Sequence, residues 1–168
     1  MELLQHTTYD EIRSLLGVSV RELKDEVVSL PHWLLQTEQE LLDIDGGAGA
    51  VLTQFAAVYA VAEGSRTAAQ TQFYKVMNMY VLYSLGLQML ARADVFSPTD
   101  ISDGKASIQR LAERFDKLRP AIEGGLQRLK ERLKEALAVL DPSAAITATA
   151  SRIMVVGAGL GTDPVTGV

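Results

Sequence analysis

Between Ile108 and Leu140 the apolar residues Ile108, Leu111, Phe115, Leu118, Ile122, Leu126, Leu129, Leu133, Leu137 and Leu140 recur at steps of three and four. That spacing lays them along one narrow stripe of an α-helix. It predicts a single helix of about 36 residues, roughly 54 Å long at 1.5 Å per residue. A seam of that length must be covered by other helices, so the rest of the chain is expected to supply a bundle. Pro120 and the pair Gly124-Gly125 fall inside the seam. An interior proline disfavours a helix by about 3 kcal/mol. A kink is therefore expected there, with a complete break as the alternative.

The preceding chain reads as shorter helices. Thr8-Tyr-Asp-Glu11 fits a capping box ahead of a helix carrying Ile12, Leu15 and Leu16, and Gly17 stands where it would end. Ser19-Val-Arg-Glu22 repeats the box and predicts a short second helix through Leu23. A third stretch runs from about Asp25 to Ile44, with Pro31 expected to bend or restart it. After the break Asp45-Gly-Gly-Ala-Gly49, the residues Val51, Leu52, Phe55, Val58, Tyr59 and Ala62 are again at helical spacing up to Glu63. From Arg66 to about Ala93, Phe73, Val76, Met77, Val81, Leu82, Leu85, Leu87 and Leu90 point all round, with almost no polar face beyond Tyr80. This segment is expected to be the central, buried helix.

Past Asp141-Pro142 the composition shifts to Ala, Thr, Gly and Val, with no charge beyond Arg152 and Asp163. The expected organisation is an all-α helical bundle over residues 1–141, ending in the long helix, followed by an extended C-terminal arm over 142–168. At 168 residues there is length for one core and an appendage. The absence of cysteine excludes disulfides, thiol nucleophiles and cysteine-ligated metal centres. The N-terminal residues do not read as a secretory signal, and no uncharged apolar stretch suggests a membrane span.

Several motifs invite a chemical reading that their spacing does not support. Gly157-x-Gly159-x-Gly161 follows the β-prone run Ile153 to Val156, yet a dinucleotide fingerprint needs G-x-G-x-x-G between a strand and a helix. The few residues after Gly161 include Pro164, so that helix is not expected. The segment reads better as a strip that pairs with another subunit or lies in a partner's groove, through Ile153, Met154, Val155, Val156, Leu160, Pro164 and Val165. Asp43-Ile-Asp45-Gly46 resembles the start of a calcium loop but offers Gly47 and Gln54 where acceptors are required. His6 and His32 have no nucleophile that the sequence places near them, and His32 beside Trp33 reads as a packing residue. Asp100 and Asp103 are expected to cap the long helix. No constellation supports catalysis, a cofactor or a metal.

Charge is unevenly spread. Residues 1–50 hold three basic against ten acidic residues, whereas Lys105 to Lys134 holds nine basic against four acidic. Leu15 to Leu23 could be the turn of a helix-turn-helix, making a small DNA-binding regulator the main alternative. That segment is acidic, however, where phosphate contact asks for basic residues. On the long helix, Glu113, Asp116, Glu123 and Glu131 interleave with the basic residues, a pattern suited to contact between subunits. Arg110, Arg114, Lys117 and Glu131 are the expected interface residues.

Seven patches, in order along nearly the whole chain, carry a family resemblance. They are TTYDEIR (7–13) with LGVS (16–19), DEVVSLP (25–31), SRTAAQ (65–70), FSP (96–98) with ISDGKAS (101–107), and DPVTG (163–167). Together they resemble the head-to-tail connector, or adaptor, proteins of tailed bacteriophages. The resemblance implies a non-enzymatic virion protein of the neck, between capsid and tail, present in the host cytoplasm during assembly. Such a subunit would form a homo-oligomeric ring, commonly of twelve copies, beneath the portal protein and above a downstream tail or neck protein. Genome DNA would pass through the channel without sequence-specific binding, and neither a membrane nor a cofactor is implied. The arm would reach the portal; at about 3.3 Å per residue, 27 extended residues span at most about 90 Å. Another neck or tail-completion protein is a further alternative.

Overall fold

The computed structural model describes residues 6–92, 96 and 104–142, and for 104–112 the backbone alone. Six α-helices follow in order: α1 (Tyr9–Leu16), α2 (Asp25–Val28), α3 (Pro31–Ile44), α4 (Ala50–Tyr59), α5 (Ala68–Leu90) and α6 (Gly104–Leu140), with a 3₁₀ turn at Glu63–Ser65. No strand occurs among the described residues. The expected all-α bundle with one long C-terminal helix is therefore observed. The arm expected over 142–168 lies outside the described residues apart from Pro142, as do the expected helix caps Asp100 and Asp103.

Local signals set the ends of α1. The Thr8 side chain accepts from the Glu11 N–H at 3.2 Å, and Glu11 Oε2 accepts from the Thr8 N–H at 2.8 Å. Gly17 closes the helix at φ 65°, a left-handed conformation open to glycine. The same box at Ser19 and Glu22 forms, with Ser19 N–H donating to Glu22 Oε2 at 2.7 Å. Yet residues 20–23 make only a turn, which corrects the expected second helix. Tertiary structure overrides the local signal. Leu23 is fully buried, its carbonyl accepts from Arg13 Nε at 2.9 Å, and Lys24 is extended at ψ 154°.

Pro31 restarts the chain as the first residue of α3, where its missing N–H costs nothing. The Trp33 indole reaches back and donates to the Val27 carbonyl at 2.8 Å, tying α2 to α3. The Asp45 carboxylate accepts from the N–H groups of Gly49 at 3.2 Å and Val51 at 3.0 Å. It thereby opens α4, which is the role the calcium-like motif fills. α4 ends at Tyr59, short of the expected Glu63. Arg66 closes this end by donating to the carbonyls of Val58 and Val61 and lying 4.2 Å from the Tyr74 ring centroid.

α5 is the axis of the bundle, with Phe73, Val76, Met77, Val81, Leu85, Met89 and Leu90 all buried. Its Tyr80 is also buried, at 3% exposure, so it does not form the polar side that the sequence pattern assigned to it. Along α5 runs α6, the most extensive pairing in the fold, which inserts Phe115, Ile122, Leu133 and Leu137 and flanks them with Leu118, Leu126 and Leu129. Burying one such leucine or isoleucine stabilises by about 1.5–3 kcal/mol. Summed along the seam, this offsets the proline, and α6 passes through Pro120 without a break. Pro120 is exposed, which leaves water to satisfy the carbonyl that its ring deprives of a donor.

Two glycines mark close approaches. A Cβ on Gly125 would stand 2.4 Å from Tyr83 Cε1, and one on Gly86 2.7 Å from Leu15 Cδ2. Gly125 thus admits the α5 tyrosine against the α6 backbone, and Gly86 admits α1 onto α5.

Candidate functional site

The outer face of α6 and the cleft beside it carry the most distinctive chemistry. At about 100° per residue, Arg114, Lys117, Arg128 and Arg132 fall within about 60° of one another around the helix axis. All four are exposed. None of the four makes a salt bridge with another described residue, although the Arg114 guanidinium lies 5.6 Å from the Phe115 ring centroid. These side chains form a largely cationic stripe, with exposed Glu135 on the same face, pointing away from the buried seam.

Among the expected interface residues, Arg114 and Lys117 are one turn apart on this stripe. Glu131 sits at its edge and accepts from Lys134 Nζ at 3.3 Å and from Gln127 Nε2 at 3.4 Å. Arg110 is on α6 in the same register, with its side chain outside the described residues. Also outside them are the expected arm contacts Ile153, Met154, Val155, Val156, Leu160, Pro164 and Val165.

A cleft of about 290 Å³ opens where α3, α5 and α6 meet. Glu40 and Asp43 enter it from α3, Tyr80 from α5, and Glu123, Gln127 and Lys130 from α6, over an apolar floor of Leu87 and Leu126. Three carboxylates against one ammonium leave it negative. Burial first, and then the charges of Glu40 and Asp43, push the Tyr80 phenol above its ordinary range. The hydroxyl is therefore neutral, and it makes no hydrogen bond with another described residue. No three His, Asp or Glu side chains among the described residues converge to hold a metal ion.

Behind the cleft wall lies a polar cluster. Ser84 donates to Glu40 Oε2 at 2.6 Å, and Gln88 Nε2 donates to Thr37 Oγ1 at 2.9 Å and Ser84 Oγ at 3.0 Å. Thr37, Ser84 and Gln88 are all buried. The cluster fixes the register of α3 on α5 and anchors Glu40 where it lines the cleft.

Sequence reasoning missed the cleft. Glu40 and Asp43 are three apart, and Glu123, Gln127 and Lys130 lie at helical spacing, so each group's shared face was visible. The meeting of the two faces is a tertiary fact. Neither histidine belongs to this site. His6 is buried, stacks on Phe55 at 4.3 Å between ring centroids, and places Nδ1 3.3 Å from Asn78 Oδ1. His32 lies tilted on Trp33 at 3.9 Å, the packing role expected of it.

No described helix is long and apolar enough to cross a membrane. Comparison with protein-family models, curated proteins and solved structures finds no match to the chain.

Proposed function

We propose that this chain is a structural virion subunit of a tailed bacteriophage, a head-to-tail adaptor that forms a ring below the portal and extends the DNA channel towards the tail. The observation that carries the reading is the outer face of α6. A long helix, anchored by its seam on α5, presents exposed basic side chains and Glu131 to whatever lies alongside. Charged faces of this kind suit side-by-side packing of identical subunits in a closed heterologous ring. The ordered patches of resemblance to connector proteins supply the rest of the reading. In it the arm of 142–168 docks on the portal, and a tail or neck protein binds below.

The net charge of −5 suits a conduit, because a strongly basic lumen would retain the genome by phosphate binding. The subunit has no enzymatic role and takes no cofactor in this reading. The rival DNA-binding regulator asks for a recognition helix after Gly17. That position holds a turn at 20–23 and the four-residue α2, so no observation favours it.

The test is to mix the purified chain with portal rings and image the product. A closed ring of subunits seated on the portal is expected, and a chain lacking residues 142–168 should lose portal binding. Steeply salt-dependent gel shifts with duplex DNA, and no ring on the portal, would replace this reading with the regulator.

A further inference from the structure

The ring reading leaves open how one subunit recognises the next, and the acidic cleft bears on that question while resting on the same reading. Its most informative member is Tyr80. The side chain is 97% buried, since only 3% of its surface is exposed, yet its hydroxyl has no partner among the described residues. It lines the cleft close enough to Glu40 and Asp43 to feel both charges. The hydroxyl itself faces the cleft, not the sealed interior. A donor entering the cleft would satisfy it.

The cleft also has charge to spare. Lys130 offsets one carboxylate, and Glu40 already accepts from Ser84. Asp43 and Glu123 are exposed and make no salt bridge with a described residue. The group that fits is cationic, rich in N–H donors and carried on a slender stem. A guanidinium meets all three demands, because it can donate to two carboxylates and a phenol oxygen at once.

We propose that the cleft formed by Glu40, Asp43, Tyr80 and Glu123 is a socket for a basic side chain from the α6 stripe of a second copy of this chain. Arg128 and Arg132, one turn apart at the C-terminal end of that stripe, are the leading occupants. Charge complementarity between the two surfaces selects this occupant. Geometry selects the kind of assembly. Around α6, Arg128 and Arg132 are displaced by about 100–180° from Glu123, Gln127 and Lys130, at about 100° per residue. Socket and plug therefore lie on different faces of one molecule. A contact between them is heterologous and leaves both a free socket and a free plug, which is the arrangement that propagates to a ring.

The experiment uses two charge-reversed full-length chains, Asp43→Lys/Glu123→Lys and Arg128→Glu/Arg132→Glu. Each should match the wild type in helical circular dichroism, since all four positions are exposed. Association is read by sedimentation velocity over rising concentration, alone and on portal rings. Each variant alone should need at least about tenfold more protein than the wild type to assemble. An equimolar mixture should recover assembly, because each reversed surface then meets its opposite. Wild-type-like assembly of either variant alone, or a mixture that stays monomeric while the wild type assembles, overturns the socket and leaves the ring reading standing. A wild-type chain that is monomeric both alone and on portal rings overturns the ring reading and the socket with it.

Discussion

The adjacent glycines of α6 show how far one residue's fate depends on its neighbours. Position 124 is open, its nearest contact being Arg128 Nη1 at 3.6 Å from an added Cβ, whereas position 125 faces Tyr83 at 2.4 Å. In a helix interior alanine exceeds glycine by about 0.5–1 kcal/mol. Gly124→Ala is therefore expected to stabilise the chain by about that amount. Gly125→Ala gains the same propensity but must displace the Tyr83 ring, at a cost of about 1–3 kcal/mol, and is expected to destabilise. Urea unfolding of the two variants should give opposite signs.

His6 makes a second test at the same scale. Burial lowers its pKa to about 4, against a smaller opposing pull from its bond to Asn78. The folded state thus holds the imidazole neutral down to pH values where the unfolded chain is protonated. The resulting stability is complete above about pH 6.5 and falls as the pH drops towards 4, by up to about 1.4 kcal/mol per pH unit. His6→Phe keeps a ring on Phe55 and removes the proton. The difference in stability between wild type and variant should change across that window and be constant above it.

At the scale of elements, what could be read from sequence depended on whether local and tertiary demands agreed. Thr8 with Glu11 and Ser19 with Glu22 form the same reciprocal hydrogen bonds. Only the first starts a helix, because Leu23 must turn into the core and Arg13 holds its carbonyl. The buried Arg13 also bonds Asp10 at 2.9 Å and Asp25, so the turn is pinned by a cation that sequence spacing does not announce. The length of α6 was legible because ten seam positions keep one register. The effect of Pro120 was not, because propensity alone does not weigh the packing on α5. If packing carries α6 through the proline, Pro120→Ala should restore a backbone bond without disturbing the core. A gain of about 1–3 kcal/mol in thermal or urea unfolding is expected. A loss would mean that the proline shapes a bend the core requires.

Across the whole molecule, the half of the candidate site carried by one helix was visible in the sequence and the half built between helices was not. Arg114, Lys117 and Glu131 could be placed on a common face from spacing alone. The cleft depends on α3 and α6 meeting across α5, with Glu40 held by a buried serine, and no periodicity encodes that. The two halves respond differently to solvent. Exposed charges separated by more than a Debye length are screened, and that length shrinks from about 10 Å at 0.1 M salt to about 3 Å at 1 M. Contacts made by Ile153, Val155 and Val156 of the arm would be apolar and largely indifferent to sodium chloride. If subunits meet one another through charge and the portal through the arm, 1 M salt should disperse lateral assemblies while subunits stay bound to portal rings, as read by sedimentation. Deletion of 142–168 should do the reverse, sparing lateral association at low salt and abolishing portal binding at any salt. Lateral assembly that persists unchanged at 1 M salt would shift the subunit contact from the charged face of α6 to an apolar one. Leu35 at 63% exposure and Val139 at 68% would then be the first residues to change.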